Sequence, residues 1–154
     1  MKKVLIAYYS TSGKTEKMAE YIAEGIRFSG HNAVVKKVKD INSATELAGF
    51  DGYIFGSPTY SLDVPHPLKT FLSIVEKANL KGKMGGAFGS YSHDVGYKHD
   101  THAPAIIFDI LQQKYEMKPF ELGAFILKED VVETSEGMKT CQDYGRVFGE
   151  KLMG

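Results

Sequence analysis

Short apolar runs, continuous rather than alternating with polar residues, recur along the chain. A continuous run of this length is typical of a strand that is covered on both faces, as in a parallel sheet. The pattern therefore predicts five strands, around residues 4–7, 33–35, 53–55, 85–88 and 124–127.

Apolar residues at helical spacing fill most of the stretches between these runs. A period of three to four residues is that of an amphipathic helix with one face on a core. The pattern predicts helices over residues 18–26, 68–75, 106–111 and 138–152. The alternation of strand and helix implies right-handed crossovers, and so a doubly wound α/β fold with helices on both faces of the sheet.

Residues that favour helix starts agree with these boundaries. Ser43 and Glu46 have the spacing of a capping box, and they predict a further short helix. Pro65, Pro67 and Pro104 stand where first-turn prolines are found.

Length and charge indicate how many domains the chain has and which partners it lacks. The chain has 154 residues, which is the size of one domain, and we expect a single domain over residues 1–154. Its 19 basic and 19 acidic residues cancel, which argues against a nucleic-acid partner.

Cys141 is the only cysteine, so neither an intramolecular disulfide nor a four-thiolate zinc site can form, and a cytoplasmic location is expected. No apolar run is long enough to predict a membrane span or a signal peptide.

In doubly wound sheets ligands bind beyond the carboxyl ends of the strands, so the loops there are the candidates for function. The first loop, residues 10–15, carries hydroxyls and a glycine directly before a helix, which suits a phosphate or another anion. Gly13-Lys14-Thr15 matches the end of a nucleoside-triphosphate loop, but Tyr8 stands where that loop needs a glycine. The alternative is a hydroxyl-rich helix cap without a ligand.

The other two loops carry aromatic residues. In the loop at 56–65, Pro58 restricts the backbone and Tyr60 could stack on a flat heterocycle, although an ordinary turn has a similar composition. The loop at 90–102 is long for a connection between strand and helix, and length of this kind favours function. It holds three histidines, but their spacing matches no common zinc motif, and we expect no metal site.

Taken together, the three loops resemble those of the flavodoxins, small electron carriers that bind flavin mononucleotide (FMN). Residues 8–16 resemble the flavodoxin phosphate loop, and residues 50–60 resemble the third strand and first flavin loop. Residues 87–91 are similar to the fourth strand and second flavin loop, especially in the flavodoxin domain of diiron oxygen reductases.

The resemblance implies a flavodoxin-like three-layer sandwich with a five-stranded parallel sheet in the order 2-1-3-4-5. The fifth strand has no insertion, as in the short-chain type, and no diiron domain is expected in this sequence. FMN would lie between strands one, three and four, with its phosphate on residues 10–15 and its ring between Tyr60, beside Thr59, and Tyr91. The implied cofactor-binding residues are Ser10, Thr11, Ser12, Gly13, Lys14, Thr15, Pro58, Thr59, Tyr60, Ser61, Ser90, Tyr91, Ser92 and Tyr97.

Three features differ from the usual flavodoxin pattern. Lys14 replaces a common asparagine, and its cation should attract a phosphate. Residues 60–63 lack the glycine whose peptide flips toward the flavin in many relatives, which disfavours stabilisation of the one-electron reduced flavin. The net charge is zero, whereas flavodoxins are typically acidic.

The resemblance implies a low-potential electron carrier, without catalytic residues, that shuttles electrons between redox partners such as reductases and iron-sulfur proteins, as a monomer or weak dimer. One alternative is a flavin-dependent NAD(P)H reductase that transfers two electrons on the same fold. Another is a signalling receiver module, which is disfavoured because Tyr8 and Tyr9 stand where such modules carry acidic residues.

Overall fold

One parallel sheet forms the middle layer of the protein. A computed structural model describes residues 1–59, 64–92 and 102–153. In these residues five strands pair in the order β2-β1-β3-β4-β5, so the expected strand order is confirmed. The strands are β1 (Lys3–Tyr8), β2 (Asn32–Lys37), β3 (Gly52–Gly56), β4 (Met84–Tyr91) and β5 (Lys118–Lys128).

Helices cover both faces of the sheet, as the sequence predicts. They are α1 (Lys14–Phe28), α2 (His66–Ala78), α3 (Ala103–Asp109), α4 (Glu129–Val132) and α5 (Ser135–Met153). A π-helical turn, Ile110–Lys114, continues α3, and short 3-10 turns lie at Val38–Asp40 and Ala44–Leu47. Among the described residues, no helix is long and apolar enough to cross a membrane.

The alternation of side chains along β1 explains why its sequence is apolar throughout. Val4 and Ile6 pack into the core beneath α1 and α5, whereas Leu5 and Ala7 pack into the core beneath α2 and α3. All four side chains are buried, because successive residues of a strand point to opposite faces and both faces are covered.

The predicted capping box is present at the start of the second 3-10 turn. The backbone N–H of Ser43 donates to Glu46 Oε2 at 2.9 Å. Hydrogen bonds from the backbone of Asn42 and Ser43 hold the pKa of Glu46 below its usual value. Pro67 and Pro104 lie in the first turns of α2 and α3, as predicted, whereas Pro65 is the N-cap of α2.

The fifth strand begins earlier than its apolar run indicates, and its pairing with β4 is irregular. Pro119 pairs with Gly85 and Ala124 pairs with Ala87, so residues 120–123 form a bulge. Tyr144 supports this bulge, since its hydroxyl donates to the carbonyl oxygen of Gly123 at 2.9 Å.

Helices α1 and α5 approach each other closely at two glycines. A Cβ at Gly145 would lie 2.0 Å from the carbonyl oxygen of Ile22, and a Cβ at Gly25 would lie 1.9 Å from that of Gln142. Cys141 is fully buried beside this contact, and burial raises the pKa of its thiol to about 12. Cys141 is therefore a core residue rather than a reactive thiol.

The close contact makes a testable prediction about Gly145→Ala. Alanine is the better helix former by about 1 kcal/mol, yet its methyl group would collide with the backbone of α1. We expect the substitution to lower the free energy of unfolding by about 1–3 kcal/mol, measured by urea denaturation. Lys139→Ala, at an exposed position of α5, is the control and should change it by no more than about 0.5 kcal/mol. A stabilised Gly145→Ala protein would show that the helices are not in tight contact.

Candidate functional site

The loop between β1 and α1 brings backbone N–H groups to the carboxyl edge of the sheet. Gly13 caps α1 with a φ of 88°, a conformation that side chains disfavour, and this explains a glycine here. Its N–H donates to Ser10 Oγ at 3.1 Å, while Lys17 N–H donates to its carbonyl oxygen at 3.0 Å. Gly13 has no side chain to cap the helix, and Lys14 N–H, the first of α1, donates a long hydrogen bond of 3.4 Å to Ser12 Oγ. The helix therefore presents its positive end at this loop.

The surroundings of this loop fit an anion such as a phosphate. Thr11, Ser12 and Gly13 are exposed, and a Cβ at Gly13 would meet no atom within 4 Å. Hydroxyls, backbone amides and an ammonium group at a helix N-terminus are the donors that a phosphate group needs. The structure thus brings Ser10, Thr11, Ser12, Gly13 and Lys14 together as predicted, and their binding role stays a prediction.

Carboxylates also surround this loop, which sequence reasoning missed. Ser12 Oγ donates to Glu129 Oε1 at 3.1 Å, and the Lys14 ammonium forms an ion pair with Glu133. This pairing raises the pKa of Lys14 and lowers that of Glu133. On the other side, the Tyr8 hydroxyl donates to Glu16, and burial together with this carboxylate raises the pKa of Tyr8. The ammonium expected to attract a phosphate is therefore already paired.

A buried hydrogen bond joins the first loop to the third. Thr15 Oγ1 and Ser90 Oγ are 2.9 Å apart, and both residues are nearly fully buried. Both were predicted to bind the cofactor, and that role stays a prediction. What the structure shows is that they fix the start of α1 against the end of β4.

The second loop continues the pairing of β3 with β4 beyond the strands. Ser57 N–H donates to the carbonyl oxygen of Phe88 at 3.0 Å, and Thr59 N–H donates to that of Ser90 at 3.1 Å. Pro58 is buried between them. The predicted residues Tyr60 and Ser61 lie outside the described residues.

At the third loop, Tyr91 is the last residue of β4 and Ser92 follows it. The half-buried Tyr91 ring contacts the ring of His102 edge to face, with centroids 4.9 Å apart. His102 is only 8% exposed, and no described residue forms a hydrogen bond with its Nδ1. Thr59 Oγ1 accepts a hydrogen bond of 2.9 Å from Ala103 N–H, so the second loop meets the start of α3 here.

Parts of the third loop lie outside the described residues, including Tyr97, His93 and His99. Within the described ranges, no group of three or more His, Cys, Asp or Glu side chains could hold a metal ion.

A cleft of about 810 Å³ opens beside the first loop. Its walls come from the first loop, from the end of β2 and the segment after it, and from α2. The lining residues are 8–13, Glu16, Lys37, Val38, Lys39, Ile41, Asn42, Pro67, Thr70, Phe71 and Ile74. Lys37 and Lys39 stand at one side, and Phe71 and Ile74 supply apolar surface at the other. Among the described residues, neither Thr59 nor Tyr91 lines it, so this cleft opens on the β2 side of the loop. The expected crevice among strands one, three and four stays a prediction.

The strand order defines a doubly wound α/β protein, a class whose members bind ligands at the carboxyl edge of the sheet. The profile of the flavodoxin family matches residues 6–138. The chain therefore belongs to the flavodoxin family, whose members bind flavin and transfer electrons to redox partners.

Individual relatives agree with this assignment. The flavodoxin of Clostridium saccharobutylicum is 35% identical over 94 residues, 61% of this chain and 59% of that protein. The NAD(P)H dehydrogenase (quinone) of Acidovorax ebreus is 32% identical over 124 residues, 66% of this chain and 62% of that protein. The chain thus spans less than two thirds of each of these relatives.

Solved structures match more of the chain. A flavodoxin from the domain Archaea superposes with a TM-score of 0.83 at 27% identity, covering 99% of both chains. The Flv1 flavodiiron core of Synechocystis superposes with a TM-score of 0.82 at 25% identity, covering 99% of this chain and 36% of that one. The resemblance to flavodoxins and to flavodiiron domains is therefore confirmed.

The bond between Thr15 and Ser90 makes a second prediction. Thr15→Val keeps the shape of the side chain but leaves the buried Ser90 hydroxyl without this partner, so we expect a loss of about 1–3 kcal/mol of unfolding free energy in urea. The double variant Thr15→Val/Ser90→Ala should lose less unfolding free energy than the sum of the losses in the two single variants. Thr140→Val is the control, since the Thr140 hydroxyl donates to the carbonyl oxygen of Glu136 within α5. Strict additivity of the two changes would show that the hydroxyls do not interact.

Proposed function

We propose that this domain binds FMN and carries electrons between redox proteins. The observation that carries the proposal is the N-terminus of α1, where Gly13 is exposed and the hydroxyls of Ser10, Thr11 and Ser12 surround the backbone amides. Its position at the carboxyl edge of the sheet is where doubly wound proteins bind nucleotides. FMN, when bound, supplies reversible acceptance and release of electrons.

The chain's own residues would hold and orient this cofactor. Ser10, Thr11, Ser12, Gly13 and Lys14 offer hydroxyl, amide and ammonium donors for its phosphate. Pro58, Thr59, Tyr91 and Ser92 lie along the same edge, and the Thr15–Ser90 bond keeps that edge rigid. Tyr60, Ser61 and Tyr97 enter the proposal from the resemblance alone.

A low reduction potential is part of the proposal. The carboxylates of Glu16, Glu129 and Glu133 surround the first loop, and negative charge near a cofactor disfavours the addition of an electron. Asp63, a further carboxylate in the sequence, would act in the same direction. A tenfold preference for the oxidised cofactor lowers a one-electron potential by about 59 mV.

The setting and partners of this domain also belong to the proposal. The single cysteine favours the cytoplasm, and partners such as reductases and iron-sulfur proteins would dock on a monomer or weak dimer. We further propose that residues 1–154 act as one domain. Because the net charge is zero, docking would depend on local charge at the carboxyl edge rather than on long-range attraction.

A second candidate is an FMN-dependent NAD(P)H reductase that transfers two electrons. The similarity to the Acidovorax quinone dehydrogenase favours it. So does the absence of a glycine from residues 60–63.

Flavin titrations test the proposed cofactor. FMN should bind with 1:1 stoichiometry in calorimetry, and riboflavin should bind more weakly because it lacks the phosphate. Ser10→Ala should weaken FMN binding by roughly tenfold or more, since a hydrogen bond to a charged group is lost, and leave riboflavin unchanged. Ser73→Ala, on the exposed side of α2, is the control and should match the parent protein. A protein that binds neither flavin would refute the proposal.

Rapid mixing separates the two candidate functions. The FMN-loaded domain is mixed anaerobically with NADPH or NADH, and flavin absorbance is followed with and without an added partner reductase. An electron carrier should be reduced slowly by the nucleotide alone and much faster once the reductase is present, because the carrier itself has no hydride-transfer site. Fast reduction that saturates with nucleotide concentration would favour the reductase instead.

A further inference from the structure

The short helix α4 places two carboxylates beside the candidate phosphate loop. It follows β5 directly, and its Val132 is fully buried, which fixes the turn against the core. Glu129 and Glu133 are four residues apart, so they lie on the same side of this turn. The sequence places no apolar period here, and the pair was not part of the predicted site.

Each carboxylate takes a donor that the loop would offer to a phosphate. Glu129 Oε1 accepts from the hydroxyl of Ser12 at 3.1 Å, and Glu133 pairs with the ammonium group of Lys14. Ser12 and Lys14 stand on either side of the N-cap Gly13, and Lys14 is the first residue of α1. Carboxylates and phosphates are both oxyanions, and they bind the same kinds of donor.

We propose that Glu129 and Glu133 form a carboxylate latch that competes with the phosphate of the ligand for Ser12 and Lys14. The latch lowers the affinity of the loop for a phosphate, and it thereby sets how strongly the domain distinguishes FMN from flavins that lack one. The choice of FMN as ligand rests on the proposed function, whereas the competition for an oxyanion does not.

Competition from the carboxylates lowers the affinity of the loop for a phosphate, so removing a carboxylate should raise it. In the parent protein a phosphate must displace a carboxylate from Lys14 or share this cation with it. The ion pair is partly exposed, with the Lys14 side chain 30% and the Glu133 side chain 53% accessible. Water and salt therefore weaken its influence on phosphate affinity. Glu133→Gln removes the competing charge and keeps the side-chain shape, and the freed ammonium can then bind the phosphate.

Calorimetric titrations with FMN and with riboflavin test the latch. We expect Glu133→Gln to tighten FMN binding roughly three- to tenfold at low salt and to leave riboflavin binding unchanged. Glu129→Gln should act in the same direction. Lys14→Met introduced into the Glu133→Gln protein should abolish the gain, because the gain comes from the freed ammonium.

Asp130→Asn is the matched control, since it removes one negative charge from the same turn. Asp130 is exposed, and among the described residues no hydrogen bond or ion pair joins it to the loop. The same tightening in Asp130→Asn and Glu133→Gln would overturn the latch in favour of general electrostatics. Weaker FMN binding in Glu133→Gln, or an equal change for riboflavin, would overturn it as well.

A titration with inorganic phosphate separates the latch from the proposed function. Phosphate is added to the flavin-free protein, and the amide resonances of Ser12 and Lys14 are followed by NMR. We expect saturable shifts that need less phosphate in Glu133→Gln than in the parent or in Asp130→Asn. If this holds while neither flavin binds, the proposed function fails and the latch stands. If FMN binds but no variant changes phosphate or FMN affinity, the latch fails alone.

Discussion

The N–H groups in the first turn of α1 have no partner within the helix, and the architecture of the site follows from this constraint. Such groups need an acceptor from a side chain, water or a ligand. Here Gly13 provides the left-handed bend, Ser10 accepts the N–H of Gly13, and Ser12 accepts the N–H of Lys14 only at 3.4 Å. Hydrogen-bond donors, mainly backbone N–H groups, are therefore grouped at the carboxyl edge of the sheet.

Packing away from the site fixes the position of α1. Gly25 and Gly145 let α1 lie against the backbone of α5, so the helix carrying the loop cannot shift easily. The bond between Thr15 and Ser90 ties the first turn of α1 to β4, two strands away from β1. The donors of the loop are thus preorganised, while the carboxylates that meet them are those of the half-buried Glu129 in α4 and the exposed Glu133 at its end.

Much of the fold was predictable because it depends on local patterns. Residues 4–7 are apolar without interruption since both faces of β1 are covered, and Ser43 with Glu46 marks a helix start through bonds between near neighbours. The first loop was predictable for the same reason. The bulge of β5 was not, because it depends on support from Tyr144, more than twenty residues further along the chain.

The parts of the site that were missed are long-range contacts. Glu129 and Glu133 meet the loop across more than a hundred residues of sequence, and α4 is too short to show a period. The cleft beside the loop depends on how residues 37–42 pack against α2, which no local pattern encodes.

The central claim is that the start of α1 binds the phosphate of a flavin nucleotide. A crystal structure of the protein grown with FMN tests it most directly. The account predicts the phosphorus atom beside the backbone amides of residues 13–15, with the ring toward Tyr91. FMN bound with its phosphate at Lys37 and Lys39 in the neighbouring cleft, away from the start of α1, would contradict the account.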